Sequence, residues 1–380
     1  MPRFLHTADW QIGRRYAQFD PDDAAHIAEE RLAVVARIAA LATEHRVDTI
    51  LVAGDVFDAQ AVSDRIIRRL FAALQGFAGP WVMIPGNHDA ALTESVWTRA
   101  QRLDGVLPAN LHLALAPGVI ELPALRTAVL AAPLTQRHTY NDTTEFFDTT
   151  PTPEGWLRIG LAHGSVEGIL PSEIDSANPI SPQRCASARL DYLALGDWHG
   201  MKLVNERCAY SGTPEPDRFR GNEPGFCLLV DLSVDVDAAA PPRTLPLRTG
   251  RYTWHDLALQ VDVASDVERI ATTLAALGAD DIAQVKISGR TDLAGHRALA
   301  SALASAEAAT RSLTFDLSAL RLLPTDDDLS ALQADGYLAT LIQELRDEQQ
   351  ATETSPEAAL LAREALALLC TELDARGATA

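Results

Sequence analysis

The sequence predicts an α/β fold: two stacked mixed β-sheets flanked by helices, followed by a smaller α+β domain and C-terminal helices. Three observations predict it. Residues 3–84 alternate short apolar runs with helical patterns in a β-α-β-α-β rhythm, which dictates parallel strands joined by right-handed crossovers. Further strand-like runs follow between residues 112 and 232. The composition then changes near 236–250, and strand and helix patterns resume beyond it.

The elements follow in order. RFLHTA (3–8) reads as the first strand. A helix is predicted over 21–45: Pro21 suits its first turn, Asp22 and Asp23 suit its positive end, and Ile27, Leu32, Val35, Ile38 and Leu41 form one apolar stripe. TILVA (49–53) is a buried strand, VSDRIIRRLFAAL (62–74) a helix capped by Ser63 or Asp64, and WVMI (81–84) a strand stopped by Pro85-Gly86. HLAL (112–115), AVLAA (128–132), LRIGLAH (157–163), YLALGD (192–197) and FCLLVDL (226–232) are expected to make a second sheet stacked on the first. The polar stretch 136–155 reads as a surface loop, and the Pro-rich run at 236–250 as a linker. The domains predicted on this basis span 1–240, 250–324 and 325–380, the last a helical hairpin broken at TETSP.

The chain has 380 residues, 47% of them apolar and 22% charged, enough to bury a full core. No stretch approaches the roughly 18–20 uninterrupted apolar residues of a membrane span. MPRFLHTAD leads straight into a strand and offers no signal-peptide core. Cys185, Cys208, Cys227 and Cys370 are scattered, which indicates neither a zinc ribbon nor a disulfide framework and fits a reduced, cytoplasmic setting. The net charge of −20 disfavours tight unaided binding to nucleic acid.

Five segments place oxygen or imidazole donors just past apolar runs: HTADWQ (Asp9, Gln11), GDVFD (Asp55, Asp58), PGNHD (Asn87, His88, Asp89), LAHGS (His163) and LGDWHG (Asp197, His199). An open α/β sheet gathers ligand groups outside the carboxyl ends of its strands. One such residue is ordinarily a turn cap or a hydrogen-bonded core histidine. Five segments of this kind, rich in hard donors and free of Cys, point to a two-metal hydrolytic centre.

In their order and spelling, these motifs resemble the calcineurin-like metallophosphoesterases. HTADWQIG, GDVFD and the added second domain look most like the SbcD-type DNA repair exonuclease subunits. The resemblance covers about residues 1–235 well and 250–324 loosely. It implies a metallophosphoesterase fold with a capping domain, and a metal-dependent phosphodiesterase, an exo- or endonuclease. Carried over by position, Asp9, Gln11, Asp55 and His199 would hold one divalent ion and Asp55, Asn87, His163 and Asp197 a second, with Asp55 bridging. It implies hydroxide attack on phosphorus, with His88 assisting the leaving group, Asp89 orienting His88, and Asp58 outside the ligand set.

Two positions depart from the family, which usually has His where this chain has Gln11 and Asp197. Both changes favour Mn²⁺ or Mg²⁺ over softer ions. The carboxylates of Asp9, Asp55 and Asp197 with one hydroxide would balance the charge of two divalent ions, and the Gln11 amide makes its metal site the weaker one. Arg14, Arg15 and Tyr16 are expected to touch a phosphate backbone. Arg65, Arg68 and Arg69 add positive charge on a helix face, either for DNA or simply solvated. The resemblance further implies DNA and an SbcC-like coiled-coil ATPase as partners, a homodimer, and no membrane association. Leu338, Leu341, Ile342 and Leu345 form a stripe suited either to docking on that ATPase or to packing on the chain itself. The alternatives are a phosphoesterase of small esters and a catalytically weak scaffold subunit.

Overall fold

The computed structural model describes residues 2–169, 178–232, 240–331, 336–350 and 355–377. The chain begins with β1 (Arg3–Thr7), α1 (Pro21–Glu44), β2 (Thr49–Ala53), α2 (Asp64–Ala73), β3 (Trp81–Ile84), α3 (Val96–Arg102) and β4 (Leu111–Leu113). It continues through β5 (Gly118–Leu122), β6 (Thr127–Ala132), β7 (Leu157–His163), β8 (Ser165–Val166), β9 (Pro179–Ile180), α4 (Arg184–Ser187) and β10 (Tyr192–Gly196). Then come β11 (Lys202–Asn205), β12 (Cys208–Tyr210), β13 (Phe226–Asp231) and β14 (Arg243–Arg248). The Ser63 hydroxyl accepts from the Ile66 N–H and caps α2, as the sequence predicts.

One six-stranded sheet runs β14-β13-β1-β2-β3-β4 and the other β11-β12-β10-β7-β6-β5. β1, β2, β3 and β4 are parallel, and β13 closes on β1 antiparallel. Alternation along the strands builds the layers. Leu5, Ile50, Val52 and Met83 face Val34, Val35 and Ile38 of α1 and Ile67, Leu70 and Phe71 of α2. Phe4, Leu51, Ala53, Val82 and Ile84 point the other way, onto Val129, Ile159, Leu161, Tyr192 and Ala194 of the second sheet. β2 is therefore buried on both faces, which is why it reads as an unbroken apolar run.

Two expectations about the sheets are corrected. HLAL and FCLLVDL supply β4 and β13 of the first sheet, not strands of the second. Each pairs with a strand of the first sheet, β4 with β3 and β13 with β1. The described part of the expected linker contains β14, paired along its length with β13. Pro246 sits within it because an edge strand loses no ladder bond to a missing N–H.

Contacts divide the chain between Tyr252 and Thr253. The second unit comprises β15 (Thr253–Val261), α5 (Ala264–Ala275), β16 (Asp281–Thr291), α6 (Leu293–Ala309), β17 (Ser312–Asp316), β18 (Leu320–Leu322), α7 (Asp326–Ala331), α8 (Gly336–Gln350) and α9 (Pro356–Gly377). Its strands are parallel, and Val261, Val285 and Ile287 pack on Ile270, Leu274, Leu299 and Leu303. The tail is not separate from this unit: Ile342, Leu366 and Cys370 cluster with Leu322, Leu329 and Leu345. Ile342 and Leu345, two residues of the expected docking stripe, thus pack within the unit, while Tyr337, Leu361 and Leu368 are exposed. Among the described residues no helix is long and apolar enough to cross a membrane.

Candidate metal and active centre

The strand-end segments converge at one edge of the two sheets. Asp9, Gln11, Asp55 and Asp197 take positive φ of 55°, 45°, 52° and 104°, where non-glycine residues are strained. Such strain persists where surrounding contacts over-determine it, as at binding sites. The contacts here are Asp9 N–H to Gly54 O (3.1 Å), Gln11 N–H to Asp55 O (2.9 Å) and Asp197 N–H to Asp9 Oδ1 (3.1 Å). Two glycines let the sheets approach. A Cβ on Gly196 would lie 2.0 Å from Ala53 O, and one on Gly86 2.2 Å from Asp55 Oδ1.

Asp9, Asp55 and His163 are buried and each offers a donor atom within 4.8 Å of the others. His163 Nδ1–H donates to Ala53 O (2.8 Å), so Nε2 presents its lone pair to Asp55 Oδ1 (3.6 Å) and Asp197 Oδ1 (3.8 Å). A main-chain acceptor that fixes the ring in this way is the arrangement ligating histidines use. The end of the Asn87 amide lies 2.9 Å from His163 Nε2 and 3.2 Å from both Asp55 oxygens. Burial works against a charge on His163, but the carboxylates of Asp55, Asp9 and Asp197 outweigh it and push the imidazole up to about 9. Burial pushes Asp9 up to about 6, past the opposing pull of His199 and His163. Asp197 Oδ2 is buried without a hydrogen-bond partner. Three crowded carboxylates, an imidazole lone pair and a buried orphan oxygen fit a divalent cation, which would supply the missing positive charge.

The other end differs. His199 Nδ1 lies 3.0 Å from Asp217 Oδ2, and its Nε2 lies 3.2 Å from Gln11 Nε2. The Gln11 oxygen accepts from Arg14 Nη1 at 2.7 Å. Arg218 Nη2 lies 2.7 Å from His199 Nδ1 and 3.0 Å from Asp217 Oδ2. Burial works against the Asp217 charge, yet His199, Arg31 and Arg218 hold its carboxyl well below the usual range. Buried Arg31 supports the floor, donating to the carbonyls of Asp9 and Trp10 at 3.2 and 2.9 Å.

His88 Nδ1 donates to the main-chain oxygen of Asp58 at 2.8 Å, leaving Nε2 4.0 Å from Asp55 Oδ2. Asp89 does not orient His88. Its carboxylate accepts from the N–H groups of Gly86 (2.7 Å) and Phe57 (3.0 Å), and burial, with the Asp55 charge adding, pushes it up to about 7. It is the sequence neighbour of His88, but the turn sends its side chain into the core. Tyr16 is corrected too: it is 2% exposed and its hydroxyl accepts from Arg31 at 3.1 Å, so no phosphate can reach it. Arg15 is exposed, and Arg69 pairs with Glu29 across α1 and α2.

A cavity of about 170 Å³ opens over the centre, lined among others by Asp55, His88, Asp197, His199, Arg218 and Arg220. Asp217, Arg218 and Arg220 were missed in the sequence. The available signal was the run PEPDRFR, which concentrates charge in a Pro-containing loop soon after an apolar strand.

A family model described as calcineurin-like phosphoesterase matches residues 2–201. The chain is 30% identical over 297 residues to the SbcD subunit of the nuclease SbcCD from Rhodobacter capsulatus, covering 64% of this chain and 69% of that protein. It is 29% identical over 257 residues to the DNA double-strand break repair protein Mre11 of Aeropyrum pernix, covering 62% of this chain and 59% of that one. It is 27% identical over 256 residues to the SbcD subunit of the nuclease SbcCD from Escherichia coli K12, covering 57% and 61%.

Proposed function

The chain belongs to the calcineurin-like phosphoesterase family, and from that premise we propose that it hydrolyses phosphodiester bonds of DNA as the nuclease subunit of a repair or defence complex. One observation carries the reading. Asp9, Asp55, Asn87, His163 and Asp197 converge on a space that lacks positive charge, and that space lies beneath a cavity lined by Arg218 and Arg220. A divalent cation, Mn²⁺ in this reading, would be held by Asp55, Asn87, His163 and Asp197 and would polarise a phosphoryl oxygen and lower the pKa of water.

The chain's own groups do the rest. Asp58 O fixes the His88 ring, so that Nε2 faces the cavity and gives a proton, or a hydrogen bond, to the departing oxygen. Arg218 and Arg220 line the cavity where they donate to non-bridging oxygens, the role for which planar guanidinium groups are suited. The names of the relatives support DNA as substrate, and an SbcC-like ATPase and a second copy as partners. Free cysteines agree with a cytoplasmic setting.

The test is a substrate panel of linear duplex, circular single-stranded DNA and a p-nitrophenyl phosphodiester, each with and without Mn²⁺, for wild type and His88→Ala. The expected outcome is Mn²⁺-dependent DNA cleavage that His88→Ala abolishes. Activity confined to the small ester would replace this reading with that of a small-phosphoester hydrolase.

A further inference from the structure

We propose that the Gln11–His199 end of the centre is occupied by the chain's own arginines and amide instead of a second cation, so that the site works with one tightly bound divalent ion beside a fixed guanidinium pair. The inference rests on the metal-centre reading above and concerns how many ions that centre takes.

A histidine ligates through a nitrogen that carries no proton and faces no other donor. His199 has no such nitrogen. If Nδ1 holds the proton and gives it to Asp217, the lone pair is on Nε2, and the Gln11 amide nitrogen stands 3.2 Å from it. If Nε2 holds the proton, the lone pair is on Nδ1, and Arg218 Nη2 stands 2.7 Å from it. In either tautomer a donor of the chain faces the lone pair that a cation would need. Gln11 is closed in the same way. Arg14 only donates, so the amide atom 2.7 Å from its Nη1 is the oxygen, and that oxygen is the atom a hard cation would bind.

Charge points the same way. Arg14 Nη1 lies 3.4 Å from Asp58 Oδ1 and 3.4 Å from Asp217 Oδ2, and Arg218 shares Asp217 at 3.0 Å. The nearby carboxylates outside the Asp9–Asp55–His163 cluster are thus already paired with guanidinium groups, and an incoming divalent ion would meet two of those groups. Among the described residues the cluster of donors within 4.8 Å of one another comprises Asp9, Asp55 and His163 and does not include His199. The residues at this end therefore do not fit a second ion. Arg218, on the cavity wall, faces the position from which a phosphate oxygen would be held.

The test is to titrate the full-length protein with MnCl₂, counting tight sites by calorimetry and reading the bound ion by electron paramagnetic resonance. We expect one tight Mn²⁺ per chain with an uncoupled hyperfine pattern, retained by folded His199→Ala and lost by His163→Ala. The wild-type count needs no variant to fold. Two tight ions, or an exchange-coupled signal, would overturn the inference and leave the metal-centre reading standing. Loss of the ion in His199→Ala would also overturn it. No bound ion in the wild type would overturn both.

Discussion

The two ends of the centre are built from similar residues but use them in opposite ways. At one end His163 spends a single nitrogen on the Ala53 carbonyl and leaves the other facing carboxylates, and Asp197 keeps a buried oxygen without a partner. At the other, both nitrogens of His199 and both ends of the Gln11 amide lie within hydrogen-bond distance of groups of the chain itself. Donor type alone does not make a ligand; an unsatisfied lone pair aimed at a shared space does. His6 marks the opposite limit. Both of its nitrogens are used, by Tyr192 Oη at 3.0 Å and Leu195 O at 3.1 Å, and burial lowers it to about 3.

The strongest way to break this contrast is to remove His163. His163→Ala should lose the divalent ion and lower phosphodiesterase kcat/KM by more than about a thousandfold, the several kcal/mol a cation contributes. Comparable loss from Gln11→Ala would erase the distinction between the ends. His88→Ala should cost about a hundredfold in kcat, at the lower end of general-acid effects, with Mn²⁺ affinity unchanged in calorimetry. A fall in affinity would make His88 a ligand. Arg218→Ala should raise KM about tenfold, as loss of one charge-assisted hydrogen bond does, with smaller effect on the tight ion. An unchanged KM would confine Arg218 to bracing Asp217.

The smallest expected effect belongs to His6 and is one of stability. Its folded pKa lies below the unfolded value of 6.5, so between about 3 and 6.5 the unfolded chain holds a proton that the folded chain does not. Its contribution is therefore complete above pH 6.5 and lost on acidification, by up to about 1.4 kcal/mol per pH unit. Urea titrations at pH 7 and pH 5 check this: His6→Gln should be less stable at pH 7 yet less sensitive to acid. An equal pH slope in both proteins would contradict it.

Much of this was legible in the sequence. β2 and β3 fall on residues 49–53 and 81–84 as expected, because fully buried strands read as bounded apolar runs. Asp9, Asp55, Asn87, His163 and Asp197 were also legible, because strand ends of an α/β sheet share one edge. The partners that decide their roles were not. Asp58 positions His88 through a main-chain carbonyl, which every residue type possesses. Asp89 adjoins His88 in sequence yet turns inward. Tyr16 follows two arginines but fills the core beneath Arg31. Arg14 reads in sequence as a phosphate contact, and its bond to Gln11 depends on a fold that also brings Asp58 and Asp217 beside it. β14 was hidden by prolines that only an edge position tolerates.

The most direct measurement is anomalous diffraction from crystals of the full chain grown with Mn²⁺. The contrast between the two ends predicts a single strong peak enclosed by Asp55, Asn87, His163 and Asp197. A peak of equal strength between Gln11 and His199, or none beside His163, would contradict it.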